Sequence, residues 1–283
     1  MANISDFLME VDTNIKLSDV ILSDENKEKV DLFIRENKNR DKLIKYGLTP
    51  VNRLLLYGAS GTGKTYLTKA LANTLGLKLL YIDIAKALSD NYVAQNMSDV
   101  FEIAREYGNC IVFLDECDSI TMSRYNQTYD DTSVVRRATN SLFQQLDQMD
   151  PRTVFVAATN LLFKIDPAFE RRMNLKLEFR RPTELRKTIN KFTFPTFEIV
   201  DDLNKDVEAI VNKRAANYVK LSYYEIQGIV ERAMKDDVLN NTDKIYLSKI
   251  YDDLSNAMGV KLRFDTHKEE EKAFEHPIDT INY

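Results

Sequence analysis

Arg53-Leu54-Leu55-Leu56-Tyr57 runs directly into Gly58-Ala59-Ser60-Gly61-Thr62-Gly63-Lys64-Thr65, after which Leu67, Ala70, Leu71 and Leu75 recur at helical spacing until Gly76 stops them. The order is apolar strand, glycine loop, amphipathic helix. The loop fits G-x-x-x-x-G-K-[ST], a spelling that carries meaning only between a strand and a helix, which is where it lies. Its glycines let main-chain N–H groups turn inward, and the helix amino terminus adds partial positive charge. Lys64 supplies a flexible cation and Thr65 a hydroxyl for a metal ion. The stretch therefore predicts a cradle for the phosphates of ATP over Gly58, Ala59, Ser60, Gly61, Thr62, Gly63, Lys64, Thr65 and Tyr66, with Mg2+ at Thr65. The bland alternative is a glycine turn followed by an incidental Lys-Thr, and the flanking elements weigh against it.

Downstream the alternation continues. Lys78 to Asp83, Ile111 to Asp115 and Val154 to Ala158 read as strands; Asp99 to Tyr107 and Val134 to Met149 read as helices between them. A further strand is expected from Leu175 to Phe179, ended by Arg181-Pro182. The fold class is thus α/β: a parallel five-stranded sheet of the P-loop NTPase kind flanked by helices. Upstream, Asp24 to Lys45 is helix-like, with Val30, Phe33 and Ile34 on its apolar side. Past Pro182 the patterns are helical in Glu184 to Lys191, Asp206 to Tyr218, Ser222 to Leu239 and Leu247 to Met258, predicting a small all-helical lid domain. Ser222 and Glu225 spell a capping box at the start of one of these helices. The expected organisation is an N-terminal segment over 1–18, a nucleotide-binding domain over 19–182, the lid over 183–262 and an acidic tail over 263–283.

A second chemical element follows the loop. Cys110-Ile111-Val112-Phe113-Leu114-Asp115-Glu116 is an apolar strand that delivers two carboxylates to the end of the sheet where phosphates lie. Asp115 suits a metal held through water, and Glu116 suits the polarisation of a water aimed at the terminal phosphate. An Asp-Glu after a strand often marks only the turn; the loop upstream gives it its chemical meaning.

Composition narrows the function classes. With 44% hydrophobic and 29% charged residues the 283-residue chain can bury a substantial core, and its net charge of −5 gives no basis for coating nucleic acid by phosphate neutralisation. Cys110, Cys117 and two histidines offer no four-ligand metal spacing, so both cysteines read as small buried hydrophobes in a reducing compartment. Neither a leader nor a run of eighteen apolar residues is evident, which points to a cytoplasmic protein with no membrane segment.

Several ordered matches now add up. Tyr46-Gly47-Leu48-Thr49-Pro50, the loop, the acidic strand, Ala157-Ala158-Thr159-Asn160 and Asp166-Pro167-Ala168-Phe169-Glu170-Arg171-Arg172-Met173 together resemble the AAA ATPases over about Ser18 to Lys261, and among them the single-module branch of katanin and spastin. The resemblance implies that Asn160 is a sensor of the terminal phosphate or attacking water. It implies that Arg171 and Arg172 are arginine fingers acting on a neighbouring subunit's nucleotide, within a homo-oligomeric, hexameric ring. Catalytic roles then fall to Lys64, Glu116, Asn160, Arg171 and Arg172, and metal binding to Thr65 and Asp115. Tyr92-Val93 match the pore loop that grips a polypeptide substrate; Tyr92 packed at the start of the next helix is the plain alternative.

Departures from the family stand beside the matches. Ala59-Ser60 replaces Pro-Pro in the loop, Ala94 stands where Gly is usual after the pore pair, and Ser222-Tyr223-Tyr224-Glu225 replaces Ser-Gly-Ala-Asp near the nucleotide. The expected function is an ATP-driven remodeller of a protein substrate, received directly or through an adaptor. The competing class is a nucleic-acid-associated clamp or helicase loader, disfavoured by the acidic charge and weak nucleic-acid signal; a non-catalytic nucleotide-bound ring is disfavoured by the intact Glu116.

Overall fold

The computed structural model describes residues 7–88, 93–121, 132–217 and 221–259. Six strands form one sheet: Leu8–Val11 (β1), Arg53–Gly58 (β2), Lys78–Ile82 (β3), Cys110–Leu114 (β4), Val154–Thr159 (β5) and Leu175–Phe179 (β6), in the order β1-β3-β4-β5-β2-β6. The five expected strands are all present and parallel. The sixth, β1, pairs antiparallel with β3 inside the N-terminal segment over 1–18, for which no strand is expected from the sequence. It spans four residues, too few for an alternating pattern to register, and Phe7 beside it is only 1% exposed.

Alternation along each strand sorts the side chains into two cores. Leu55, Val112, Leu114, Phe155 and Ala157 face one side, where they meet helices Val93–Tyr107 (α5) and Thr132–Asp147 (α7). Leu54, Leu56, Ile111, Phe113, Val154 and Val156 face the other, against Asp24–Lys38 (α1) and Lys64–Leu75 (α3). Because both faces are covered, β4 and β5 are buried at every position and read as unbroken apolar runs. Shorter helices complete this part: Arg40–Lys45 (α2), Ile84–Leu88 (α4), Asp118–Thr121 (α6) and Pro167–Glu170 (α8).

Sheet order positions the chemistry. After β2 the chain passes over two places to β3 and then fills inward through β4 and β5, so the carboxyl ends of β4, β5 and β2 lie side by side. Those ends carry Asp115, Asn160 and the glycine loop, and a switch point of this kind is where open α/β sheets bind ligands.

The C-terminal region packs around its own core, with Leu185, Ile189, Ile226, Val230, Ile250 and Tyr251 among its buried members. Its helices are Leu185–Phe192 (α9), Lys205–Asn217 (α10), Tyr223–Leu239 (α11) and Leu247–Ala257 (α12). A parallel pair, Glu198–Val200 (β7) with Lys244–Tyr246 (β8), adds to the helices expected from sequence; three-residue strands leave no periodic trace. The capping box is present: Glu225 N–H donates to Ser222 Oγ at 3.3 Å and Ser222 N–H to Glu225 Oε2 at 2.6 Å. No helix among the described residues is long and apolar enough to cross a membrane.

Arg186 on α9 ties this region together. Its guanidinium donates to Asp201 Oδ2 at 2.6 Å and to Glu208 Oε1 at 2.8 Å. Hydrogen bonding to Arg186 is the main reason both carboxyls sit below their ordinary values. A depressed carboxyl pKa contributes stability that is complete above the unfolded value, 4.5 for Glu208, and is lost as pH falls through the lower folded value. Wild-type thermal stability should therefore drop below about pH 4.5, and Arg186→Gln, which is already without the pairing, should show a flatter acid limb; melting curves between about pH 7 and pH 3 check this.

Candidate active site

The glycine loop is held by one bond of its own and by close approach of β6 and α11. Thr62 Oγ1 donates to Ala59 O at 2.7 Å, closing the turn. Gly58 has φ 140°, and a Cβ there would lie 2.0 Å from the carbonyl oxygen of Phe179 on β6. Gly61 has φ 71°, and its Cβ would stand 2.7 Å from Ser222 Oγ, so the start of α11 sits directly on the loop. Tyr224 N–H completes that contact by donating to Gly61 O at 3.3 Å. Helix α3 begins at Lys64, and the N–H groups of its first turn have no partner within the helix, which leaves Lys64, Thr65 and Tyr66 presenting donors to an anion.

Lys64 is 6% exposed. Its Nζ donates to Gly58 O at 2.7 Å, Ala59 O at 2.8 Å and Asn160 Oδ1 at 2.7 Å. Burial holds its pKa below the ordinary lysine value, and the Asp115 carboxylate opposes that shift. Thr65 Oγ1 donates to Asp115 Oδ2 at 2.8 Å. Glu116, exposed at the end of β4, has φ 50°, a left-handed conformation uncommon for a non-glycine residue, and its N–H donates to Asp115 Oδ1 at 2.9 Å. The structure thus brings Lys64, Thr65, Asp115, Glu116 and Asn160 to one place.

These groups fit Mg2+ and ATP. The Thr65 hydroxyl and Asp115 carboxylate are hard oxygen donors, and among the described residues no group of three or more His, Cys, Asp or Glu forms a metal cage. A small set of protein oxygens shared with phosphate is how Mg2+ is ordinarily held. The loop's donors and the Lys64 cation match a polyphosphate, and Gly58, Gly61 and Gly63 take the positive φ values that the turn requires.

A cleft of about 1060 Å³ extends from the loop to the lid. Its apolar and aromatic lining comes from Val20, Ile21, Tyr66, Phe194, Tyr223 and Tyr224. Burial, and secondarily Asp19, raises the Tyr66 pKa; burial likewise raises that of Tyr223. Sequence reasoning placed Tyr66 and the Tyr223-Tyr224 pair here but missed Val20, Ile21 and Phe194, which come from distant segments. Phe194 alone carried a signal, as an aromatic beside Pro195 in an otherwise helical region.

Arg171 and Arg172 lie elsewhere. Asn174 N–H donates to Arg53 O at 2.8 Å, placing the end of α8 beside the amino end of β2, whereas the loop follows its carboxyl end. Five residues of strand separate the two, roughly 16 Å at about 3.3 Å per residue, farther than an arginine side chain spans. The two arginines differ. Arg172 forms a bidentate pair with Asp147, Nε to Oδ1 at 2.9 Å and Nη2 to Oδ2 at 2.8 Å, and its guanidinium lies 4.5 Å from the centre of the Phe143 ring. Arg171 is exposed and makes no side-chain hydrogen bond or ion pair among the described residues. Tyr92 lies outside the described residues; of Val93 only the main chain, opening α5, is described. The tail over 263–283 also lies outside them. Cys110 and Cys117 are both buried, and burial pushes the Cys110 thiol up to about 12.

Comparison with known proteins gives a consistent result. Residues 54–181 match the family described as "ATPase family associated with various cellular activities (AAA)". An uncharacterized AAA family ATPase of Sinorhizobium fredii is 27% identical over 85% of this chain and 71% of its own length. The 26S proteasome regulatory subunit 6B homolog of Encephalitozoon cuniculi is 32% identical over 74% of this chain and 54% of its own length. The proteasome-activating nucleotidase of Methanocella arvoryzae is 30% identical over 77% and 53%. The chain spans about half the length of these two proteasome-related relatives. The match over 54–181, together with the sheet order and the loop at its switch point, shows that the chain carries an ATP-binding domain of the AAA ATPase family.

Proposed function

We propose that this chain is a Mg2+-dependent, ATP-hydrolysing ring ATPase that unfolds, remodels or disassembles a protein substrate. The observation that carries the proposal is the Lys64 ammonium held between the loop carbonyls and Asn160, beside Asp115 and Glu116, with both arginines at the opposite end of the strands. Thr65 and Asp115 would hold Mg2+, which would offset phosphate charge. Lys64 exchanges its carbonyl partners for the terminal phosphates, Glu116 takes a proton from the attacking water, and Asn160 orients that water. Arg171, exposed and far from its own loop, serves the nucleotide of an adjacent subunit; Arg172, pinned by Asp147 and Phe143, shapes the surface from which it projects. Active sites between subunits require a ring, for which a hexamer is the proposed size.

Polypeptide is the proposed substrate class, supported by relatives named as proteasome regulatory and proteasome-activating proteins. Tyr92-Val93 would grip it, and a cytoplasmic location belongs to the same proposal. The likeness to the katanin and spastin branch is a finer proposal, and two of the three relatives above are proteasome-related instead. No observation favours the nucleic-acid loader.

ATP turnover measured against protein concentration, with and without an unfolded polypeptide, tests the proposal. Specific activity should rise with assembly and respond to polypeptide. Arg171→Ala and Lys64→Ala subunits, each inactive alone, should regain turnover when mixed, because the intact arginine of one serves the intact loop of the other. Full activity in a stable monomer, or stimulation by single-stranded DNA alone, would overturn it.

A further inference from the structure

Asn160 must be aimed to within a fraction of an ångström if it is to orient a water, yet it is exposed at the end of a strand. Thr159, the residue before it, is 1% exposed and ends β5. Its Oγ1 donates to Asp118 Oδ1 at 2.7 Å and accepts from Leu161 N–H at 2.9 Å. One hydroxyl therefore fastens the residues on both sides of Asn160, and Asn160 Oδ1 reaches Lys64 Nζ at 2.7 Å from within that clamp.

The anchor at the other end is equally placed. Asp118 opens α6, two residues after Glu116, and Cys117 N–H donates to Ala158 O at 2.9 Å, extending the β4–β5 ladder past Asp115 and Glu116. The segment bearing the carboxylates and the segment bearing Asn160 are thus joined twice, by Cys117 to Ala158 and by Asp118 to Thr159. Neither Asp118 nor Thr159 lines the nucleotide cleft. Threonine suits the joint because its hydroxyl both donates and accepts.

We propose that Asp118 and Thr159 are positioning residues for ATP hydrolysis: the Asp118–Thr159 hydrogen bond fixes Asn160 relative to Glu116, and thereby sets the rate of the chemical step without contributing to nucleotide affinity. The inference rests on the hydrolytic reading above.

The test is steady-state ATP turnover on the full chain, with nucleotide affinity and melting temperature measured on each variant. Thr159→Val should lower kcat about tenfold or more with KM for ATP within about twofold, since a small displacement of a positioning group acts on the transition state. Thr159→Ser, which restores the hydroxyl, should recover kcat to within about threefold of wild type. Asp118 is only partly buried, and the melting temperature of its variants shows separately whether the fold is kept: Asp118→Ala should reproduce the loss, and Asp118→Asn, which keeps an accepting oxygen, should not. Wild-type kcat in Thr159→Val, or Asp118→Asn as damaging as Asp118→Ala, would overturn the proposal, as would kcat losses that track lost affinity. A wild-type chain without ATP turnover would remove the hydrolytic reading and this inference with it; active wild type beside an equally active Thr159→Val would remove the inference alone.

Discussion

Glu116→Gln should bind ATP as tightly as the wild type and turn it over at least about a hundredfold more slowly, the span expected when a general base is removed. Its carboxylate stands exposed at the end of β4, where the φ of 50° is held by the N–H to Asp115 Oδ1 bond at 2.9 Å. A left-handed non-glycine residue costs on the order of 1 kcal/mol or more, and such strain persists where the surroundings fix it. Glutamine keeps the length, the shape and the main-chain bond, so only basicity is lost. Equilibrium binding of ATP alongside single-turnover hydrolysis separates the two effects. Undiminished hydrolysis would assign the base elsewhere; lost binding would assign Glu116 to the ground state.

Gly58→Ala should be the most damaging single-methyl change in the nucleotide-binding region. The added Cβ would lie 2.0 Å from Phe179 O, a main-chain atom of the adjacent strand, and φ 140° is strained for any L side chain. Neither relief is available without parting β2 from β6, which pair from Leu54 with Leu175 to Gly58 with Phe179. Overpacking and backbone strain together cost about 3 kcal/mol or more, which lowers the melting temperature by roughly 10 °C in a chain of this size. Gly228 is the control: it lies inside α11 with nothing within 4 Å of a built Cβ, so Ala there should leave stability unchanged or raise it by up to about 1 kcal/mol. Differential scanning calorimetry on both variants checks the contrast. A Gly58→Ala protein melting with the wild type would mean that the β2–β6 seam yields easily.

The nucleotide-binding half was largely legible because its signals are dense. Buried parallel strands are continuous apolar runs, and the loop between β2 and α3 is constrained at nearly every position. Lys64, Asp115 and Asn160 could be brought together on paper because each follows a strand at the same end of one sheet. Short pairings were not legible: β1, β7 and β8 hold their places through partners far away in sequence, and three or four residues carry no period of their own. The two adjacent arginines look equivalent as letters. Only packing separates them, since Asp147 and Phe143 on α7 claim Arg172 and leave Arg171 exposed. Val20, Ile21 and Phe194 escaped notice for a related reason, because ordinary apolar residues acquire a role only when distant segments converge on the same cleft.

Strand β1 also governs how the protein behaves toward copies of itself. It occupies the edge that β3 would otherwise present, covering the outward N–H and C=O groups of a strand whose Leu79, Leu80 and Ile82 are buried. An uncovered edge of that kind is a template for strand addition by another chain, which is the ordinary route to aggregation in sheet proteins. Shortening the chain past Val11 would therefore create a nucleotide-independent stickiness that imitates the proposed ring assembly in any sizing experiment. Assembly that disappears when Phe7 to Val11 are retained belongs to that bare edge, and assembly that follows ATP belongs to the active site.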